Sequence, residues 1–101
     1  MFYAKNKSKE KIKMNICFLI GEIVSEIQFE FILNSKNNSI AMFKLKLSNE
    51  SIIEIQAYDE MADYCYRNFK MGDIVECLGH ITSEGKIIMN EIWKNIPNSC
   101  F

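Results

Sequence analysis

Residues 52–70 read IIEIQAYDEMADYCYRNFK, and the hydrophobic period changes in the middle of them. Up to Tyr58, the apolar residues Ile53, Ile55 and Ala57 alternate with Glu54, Gln56 and Tyr58. That two-residue period belongs to a strand with one buried face. Beyond it Met61, Cys65 and Phe69 recur at four-residue steps, with Ala62 and Tyr66 beside them, which is a helical stripe. Asp59 is positioned to cap this helix, Glu60 and Asp63 suit its first turns, Arg67 and Lys70 its last, and Gly72 is expected to end it. A strand that runs directly into a helix of about three turns is the expectation.

Upstream, two further stretches alternate. In 39–48, Ala41, Phe43, Leu45 and Leu47 share one face, and Met42, Lys44 and Lys46 the other. In 26–33, Ile27, Phe29, Phe31 and Leu33 form an apolar face opposed by Glu26, Gln28 and Glu30. The polar cluster 34–38 turns the chain between them. Residues 15–24 (NICFLIGEIV) are apolar throughout, as in a strand covered on both faces, and Gly21 marks a bulge or sharp bend. Register limits the hairpin that joins 39–48 to 52–58. A two-residue loop at Asn49-Glu50 would set Leu45 opposite Glu54. The three-residue loop Asn49-Glu50-Ser51 instead pairs Leu45 with Ile55 and Phe43 with Ala57. It also sets Lys46 opposite Glu54, Lys44 opposite Gln56 and Met42 opposite Tyr58.

Downstream, Asp73–His80 and Lys86–Trp93 read as two strands flanking a short turn at Ser83-Glu84-Gly85. The order is a long bent first strand, two more strands, a helix, then two strands. An all-β chain with one helix between the third and fourth strands is the pattern of the five-stranded OB-fold barrel.

The chain has 101 residues, 49% hydrophobic and 25% charged, with one proline and four glycines. This is the length of one domain and the composition of a folded globule. No apolar run approaches the ~18 residues of a membrane span, and the basic start MFYAKNKSKEKIK is unlike a secretory signal, so an intracellular protein is expected. Residues 1–14 form a basic arm or extension, with Met14 as an alternative start, 15–96 the OB-fold domain and 97–101 a short tail. Five lysines against Glu10 give the arm a charge of +4; a net charge of −1 leaves −5 for the body. Cys17, Cys65, Cys77 and Cys100 are scattered, with no C-x-x-C and a single histidine, His80. Reduced, structural thiols are therefore expected, with no metal and no cofactor. No nucleophile elbow, phosphate-cradling glycine loop or ligand cluster is present, and the carboxylates Asp59, Glu60 and Asp63 are accounted for by the helix start. An enzyme is not expected.

The segments Asn15–Gly21, Ala41–Leu45, Ala57-Tyr58 running to Ala62, and Lys70-Met71-Gly72-Asp73-Ile74-Val75-Glu76-Cys77-Leu78-Gly79 resemble, in order and spacing, those of the bacterial single-stranded DNA-binding protein family (SSB). Its compact primosomal relative PriB is included in that resemblance, which spans about residues 15–93. The resemblance implies binding of single-stranded DNA along the barrel. Tyr58 falls where the family places a stacking aromatic, and its outward parity agrees. Lys44 and Lys46 become phosphate contacts, and Gln56 and Lys86 complete the expected nucleic-acid-binding set. The resemblance further implies a homodimer paired through the first strand, with replication proteins as partners in a bacterial, nucleoid-associated, cytoplasmic setting.

Departures from the family are visible too. Ile52 stands where members carry tryptophan. The long basic hairpin loops are reduced to Asn49-Glu50-Ser51 and Ser83-Glu84-Gly85. The acidic tail ending in proline-phenylalanine is replaced by Pro97-Asn98-Ser99-Cys100-Phe101. An accessory factor in DNA replication or replication restart fits these losses better than a housekeeping SSB. The alternatives are an OB-fold interaction module of a replication or conjugation complex and an RNA-binding OB domain. Phe29 and Phe31 are assigned to the core, Trp93 to the core or a dimer contact, and His80 to a structural role.

Overall fold

The computed structural model describes residues 15–33, 36 and 38–95; the basic arm 1–14 and the tail 97–101 lie outside the described residues. Six strands and one helix follow in the order β1 (Cys17–Ile23), β2 (Gln28–Phe31), β3 (Ser39–Leu47), β4 (Ile52–Tyr58), α1 (Asp59–Asn68), β5 (Ile74–Ile81) and β6 (Ile87–Lys94). β1 and β2 are the two halves of the expected bent first strand. The bend lies at 24–27, where the Ser25 hydroxyl accepts the Lys44 N–H (2.8 Å). That bond satisfies a backbone donor which the broken ladder would otherwise leave bare.

The strands pair in the sequence β1-β5-β6-β4-β3, and β1 meets β3 again to close a five-stranded barrel. Closure is short: only Gly21↔Leu47, Glu22↔Lys46 and Ile23↔Leu45 join β1 to β3. β4 and β6 run parallel and touch at Ile55↔Ile87 and Gln56↔Ile88. This is the OB fold. Gly21 sits at the seam because an added Cβ would lie 2.5 Å from the Lys46 carbonyl oxygen. The bulge is elsewhere, between Leu78 and Gly79 of β5 where it faces β6.

Ile23, Leu45, Ile55 and Val75 are fully buried at the centre, joined by Ala41, Phe43, Ala57, Met89 and Ile92. The helix packs on β3 and β4 and adds Ala62, Cys65 and Phe69 to this core, as its four-residue stripe requires. Tyr66, at the flank of that stripe, is exposed.

Four expectations change. The β3–β4 hairpin pairs Leu45 with Ile53, Phe43 with Ile55, Lys44 with Glu54, Met42 with Gln56 and Ile40 with Tyr58, two residues from the expected register. The loop does have three residues, but they are Ser48, Asn49 and Glu50. Leu47 N–H donates to Ser51 O (2.8 Å), Ser51 N–H to Asn49 Oδ1 (3.0 Å), and Glu50 takes the left-handed conformation at φ 73°. A two-residue slip leaves every side chain on its own face, so hydrophobic alternation cannot detect it, and the turn decides.

Second, Phe31 and Leu33 are not core: they are 78% and 82% exposed, because β2 runs out past the end of the barrel with only β3 beside it. Third, Asp59 does not cap the helix. Tyr58 is the N-cap without a side-chain bond, and the Asp59 carboxylate accepts the N–H groups of Asn38 (2.6 Å) and Ser39 (3.3 Å) across the β2–β3 turn. Fourth, the helix ends at Asn68, before Gly72, which sits at φ 100° in the turn that enters β5.

That turn is held by Asp73. Burial pushes its carboxyl upward, but the Lys70 N–H, the Lys70 ammonium and the Lys94 ammonium together hold it below the ordinary carboxylate range.

Candidate nucleic-acid interface

The outer face of β3 and β4 is built by parity. Inward Ala41, Phe43, Leu45, Ile55 and Ala57 fill the barrel, so Met42, Lys44, Lys46, Glu54 and Tyr58 project outward. Tyr58 ends β4 and begins the helix in one residue, so its ring is positioned by the strand–helix junction. It is half-buried, and its hydroxyl donates to Gln56 Oε1 (3.3 Å). Gln56 is on the expected face but only 8% exposed, because the parallel neighbour Ile88 covers it. It therefore holds the tyrosine hydroxyl and offers little surface of its own.

Lys86 comes to this face from the β5–β6 turn. With Gly85, Ile87, Ile53, Glu54 and Gln56 it lines a cleft of about 250 Å³. A second cleft, about 470 Å³, is lined by Lys44 with Ser25, Glu26, Gln28, Met42 and Glu54. The five residues expected from the sequence thus share one side of the barrel: Tyr58 and Gln56 bonded, Lys86 beside Gln56, and Lys44 and Lys46 on the next strand.

Each lysine has a carboxylate beside it. Lys46 pairs with Glu50 (3.5 Å) and sits opposite Glu22 of β1, Lys86 approaches Glu84 (3.9 Å), and Lys44 is opposite Glu54. Lys46 therefore faces Glu22 and Ile52, not the Glu54 expected for it. The Lys46–Glu50 and Lys86–Glu84 contacts are exposed pairs of the kind worth about 0–1 kcal/mol, so an incoming phosphate can displace them, while Lys44 makes no ion pair among the described residues. Ile52, 56% exposed opposite Lys46, adds an apolar patch to the same face. Its signal was legible, since it is an apolar residue on the polar parity of β4.

Thiol chemistry has no place here. Burial pushes the Cys65 and Cys77 thiols up to about 12, and both are buried in the core, Cys65 from the helix and Cys77 from β5. Among the described residues, no group of three or more His, Cys, Asp or Glu side chains could hold a metal ion. His80 Nδ1 lies 3.1 Å from Asn90 Oδ1, a pairing between β5 and β6. No described helix is long and apolar enough to cross a membrane.

No protein-family model and no curated protein matches the sequence. Solved structures do match the fold. The small single-stranded DNA-binding protein from Streptomyces coelicolor superposes with a TM-score of 0.71 at 15% identity, over 83% of this chain and 97% of its own. The mitochondrial single-stranded DNA-binding protein from S. cerevisiae gives 0.72 at 13% identity, over 83% and 97%. PriB from Ralstonia solanacearum gives 0.68 at 16% identity, over 81% and 99%. The chain has the fold of these proteins over nearly their full length.

Proposed function

We propose that this protein binds single-stranded DNA across the outer face of β3 and β4, as a small accessory factor in bacterial DNA replication or replication restart. Tyr58 carries the reading: an aromatic ring on the outer side of an OB barrel, oriented through its hydroxyl, with Lys44 and Lys46 further along the same face of β3 and Lys86 beside Gln56. A base stacks on the ring, Lys46 and Lys86 exchange their glutamate partners for phosphates, and Lys44 adds a cation with no ion pair to break among the described residues. The fold shared with two single-stranded DNA-binding proteins and with PriB supports the same reading. Its setting is the cytoplasm, where replication partners and exposed strands are found. The protein works by binding, with no bond made or broken.

Tyr58→Ala is expected to weaken the affinity for a fluorescein-labelled oligo-dT by about 1–3 kcal/mol. Fluorescence anisotropy reads the loss, and a circular dichroism melt reports whether the fold is intact. Unchanged affinity in a folded variant would remove Tyr58 from the interface.

A second reading, an interaction module with no nucleic-acid ligand, is favoured by the glutamate beside each lysine. It requires that oligo-dT fail to bind even at low salt. Competition between oligo-dT and oligo-U of equal length separates DNA from RNA.

The working unit is a homodimer joined through β1. Over Cys17–Ile20 this strand pairs only with β5, since β3 joins it from Gly21 onward, so one edge is open to a second strand. Phe18 and Ile20 project from its outer face at 53% and 44% exposure, with Ile74 of β5 and Trp93 of β6 exposed on the same side. These exposed apolar residues, with Glu76 between Ile20 and Trp93, suit a two-fold contact. Light scattering is expected to give twice the 11.8 kDa chain mass, falling to one chain in Phe18→Glu/Ile20→Glu. A wild-type monomer at micromolar concentration would refute the dimer.

A further inference from the structure

β2 is the terminal strand of the sheet: β3 covers one edge, and no strand among the described residues covers the other. Ile32 N–H donates to Asn38 O (2.8 Å), which makes that pair a hydrogen-bonded one. Such pairs alternate along an antiparallel ladder, so Gln28 and Glu30 also bond toward β3. The N–H and C=O groups of Phe29 and Phe31 therefore point out of the free edge. Proteins usually protect such an edge with proline, lysine or a covering element, and the run 27–33 (IQFEFIL) contains neither residue.

The two faces beside this edge differ in chemistry. On the helix side, Phe29 contacts Phe31 edge-on and Tyr66 at a tilt, each at 5.2 Å between ring centroids. An open groove of about 540 Å³ continues from Tyr66 along Ile27, Phe69 and Met71. On the opposite face stands Glu30, while Glu26 at the head of the strand lines, with Lys70, the same helix-side groove and, with Lys44, the cleft beyond it. No ion pair among the described residues neutralises either glutamate, whereas the nearby cations Arg67 and Lys70 are bound to Asp63 (2.6 Å) and Asp73 (3.4 Å).

We infer that the free edge of β2 receives an extended segment of a partner protein as an added strand. Its apolar side chains lie over Phe29, Phe31 and Tyr66, and its alternate lysine or arginine residues lie beside Glu30. Backbone bonds from Phe29 and Phe31 provide the attachment, and the alternation selects the sequence. Phosphates are disfavoured by the uncompensated glutamates. A second copy is disfavoured as well, because pairing β2 antiparallel to itself with Phe29 opposite Phe31 sets Glu30 against Glu30.

The probe is a labelled nine-residue peptide of alternating lysine and valine, compared with a counterpart of equal charge whose two inner valines are proline. In fluorescence anisotropy at physiological salt, the first peptide is expected to bind about tenfold more tightly, because the second lacks the edge donors. Phe31→Pro removes a donor only at the free edge and should reduce binding by about the same factor, with oligo-dT affinity and solution mass unchanged. Equal binding of the two peptides, or indifference to Phe31→Pro, overturns the inference. So does a fall in solution mass with Phe31→Pro, which would show that a second copy fills the edge. Should Phe31→Pro fail to fold, Glu30→Lys is the second variant. It should prefer a glutamate–valine peptide over the lysine–valine one, and an unchanged preference refutes the inference.

Discussion

Lys44→Gln/Lys46→Gln/Lys86→Gln is expected to abolish the salt dependence of oligo-dT binding. Three phosphate contacts to a single strand give a slope of about −2 in log K against log salt, which is roughly a 20-fold loss between 50 and 200 mM. In the triple variant the slope should approach zero. Glu50, Glu54 and Glu84 remain, so the face becomes net negative and affinity at low salt should fall by at least the same factor. Neutralising the competitors acts in the other direction: Glu50→Gln/Glu54→Gln frees Lys46 and removes the negative charge opposite Lys44, and should tighten binding. Anisotropy titrations at three salt concentrations measure all of this. A triple variant that keeps the wild-type slope would mean that phosphates meet other cations, and the β3–β4 face would no longer be the binding surface.

Gly21→Val should cost about 3 kcal/mol of stability, the upper end for overpacking a tight site. The added Cβ would meet the Lys46 carbonyl oxygen at 2.5 Å and Leu45 Cγ at 3.0 Å, and the first of these is backbone that cannot swing aside. Only three residue pairs close the barrel between β1 and β3, and Gly21↔Leu47 is the first of them. For a domain of this size the loss corresponds to a fall in Tm of about 12–24 °C. Thermal unfolding followed by circular dichroism measures it. A shift below about 4 °C would mean that the seam tolerates separation and that closure contributes little. Because Lys46 lies in the same three-pair seam, the variant should also loosen the proposed DNA-binding face, which links barrel closure to the proposed function.

The hairpin, β2 and Gln56 show how far the residues could be read alone. Alternation put Ala41, Phe43, Leu45, Ile55 and Ala57 on the inside, and all five are buried. It cannot choose between two registers that preserve the faces, and the turn at Ser48-Asn49-Glu50 sets the partners of Lys44, Lys46 and Tyr58. In β2 the apolar parity was read correctly, but parity says nothing about whether anything lies opposite. Phe29 meets Tyr66, while Phe31 and Leu33, further along the same face, meet solvent. Gln56 has the outward parity of a ligand contact, yet it is covered by a strand more than thirty residues away in the chain.

Local chemistry alone therefore determined the order of the elements, the inner and outer face of β3, β4 and the helix, and the five-strand, one-helix path of an OB barrel. These depend on side-chain period and turn residues, which act within a few positions along the chain. Tertiary packing alone decided the closure at Gly21, the screening of Gln56, the placing of Glu22 opposite Lys46 and the bare edge of β2. Each of these depends on which distant segments come within a few ångströms of one another, a distance that no local period records.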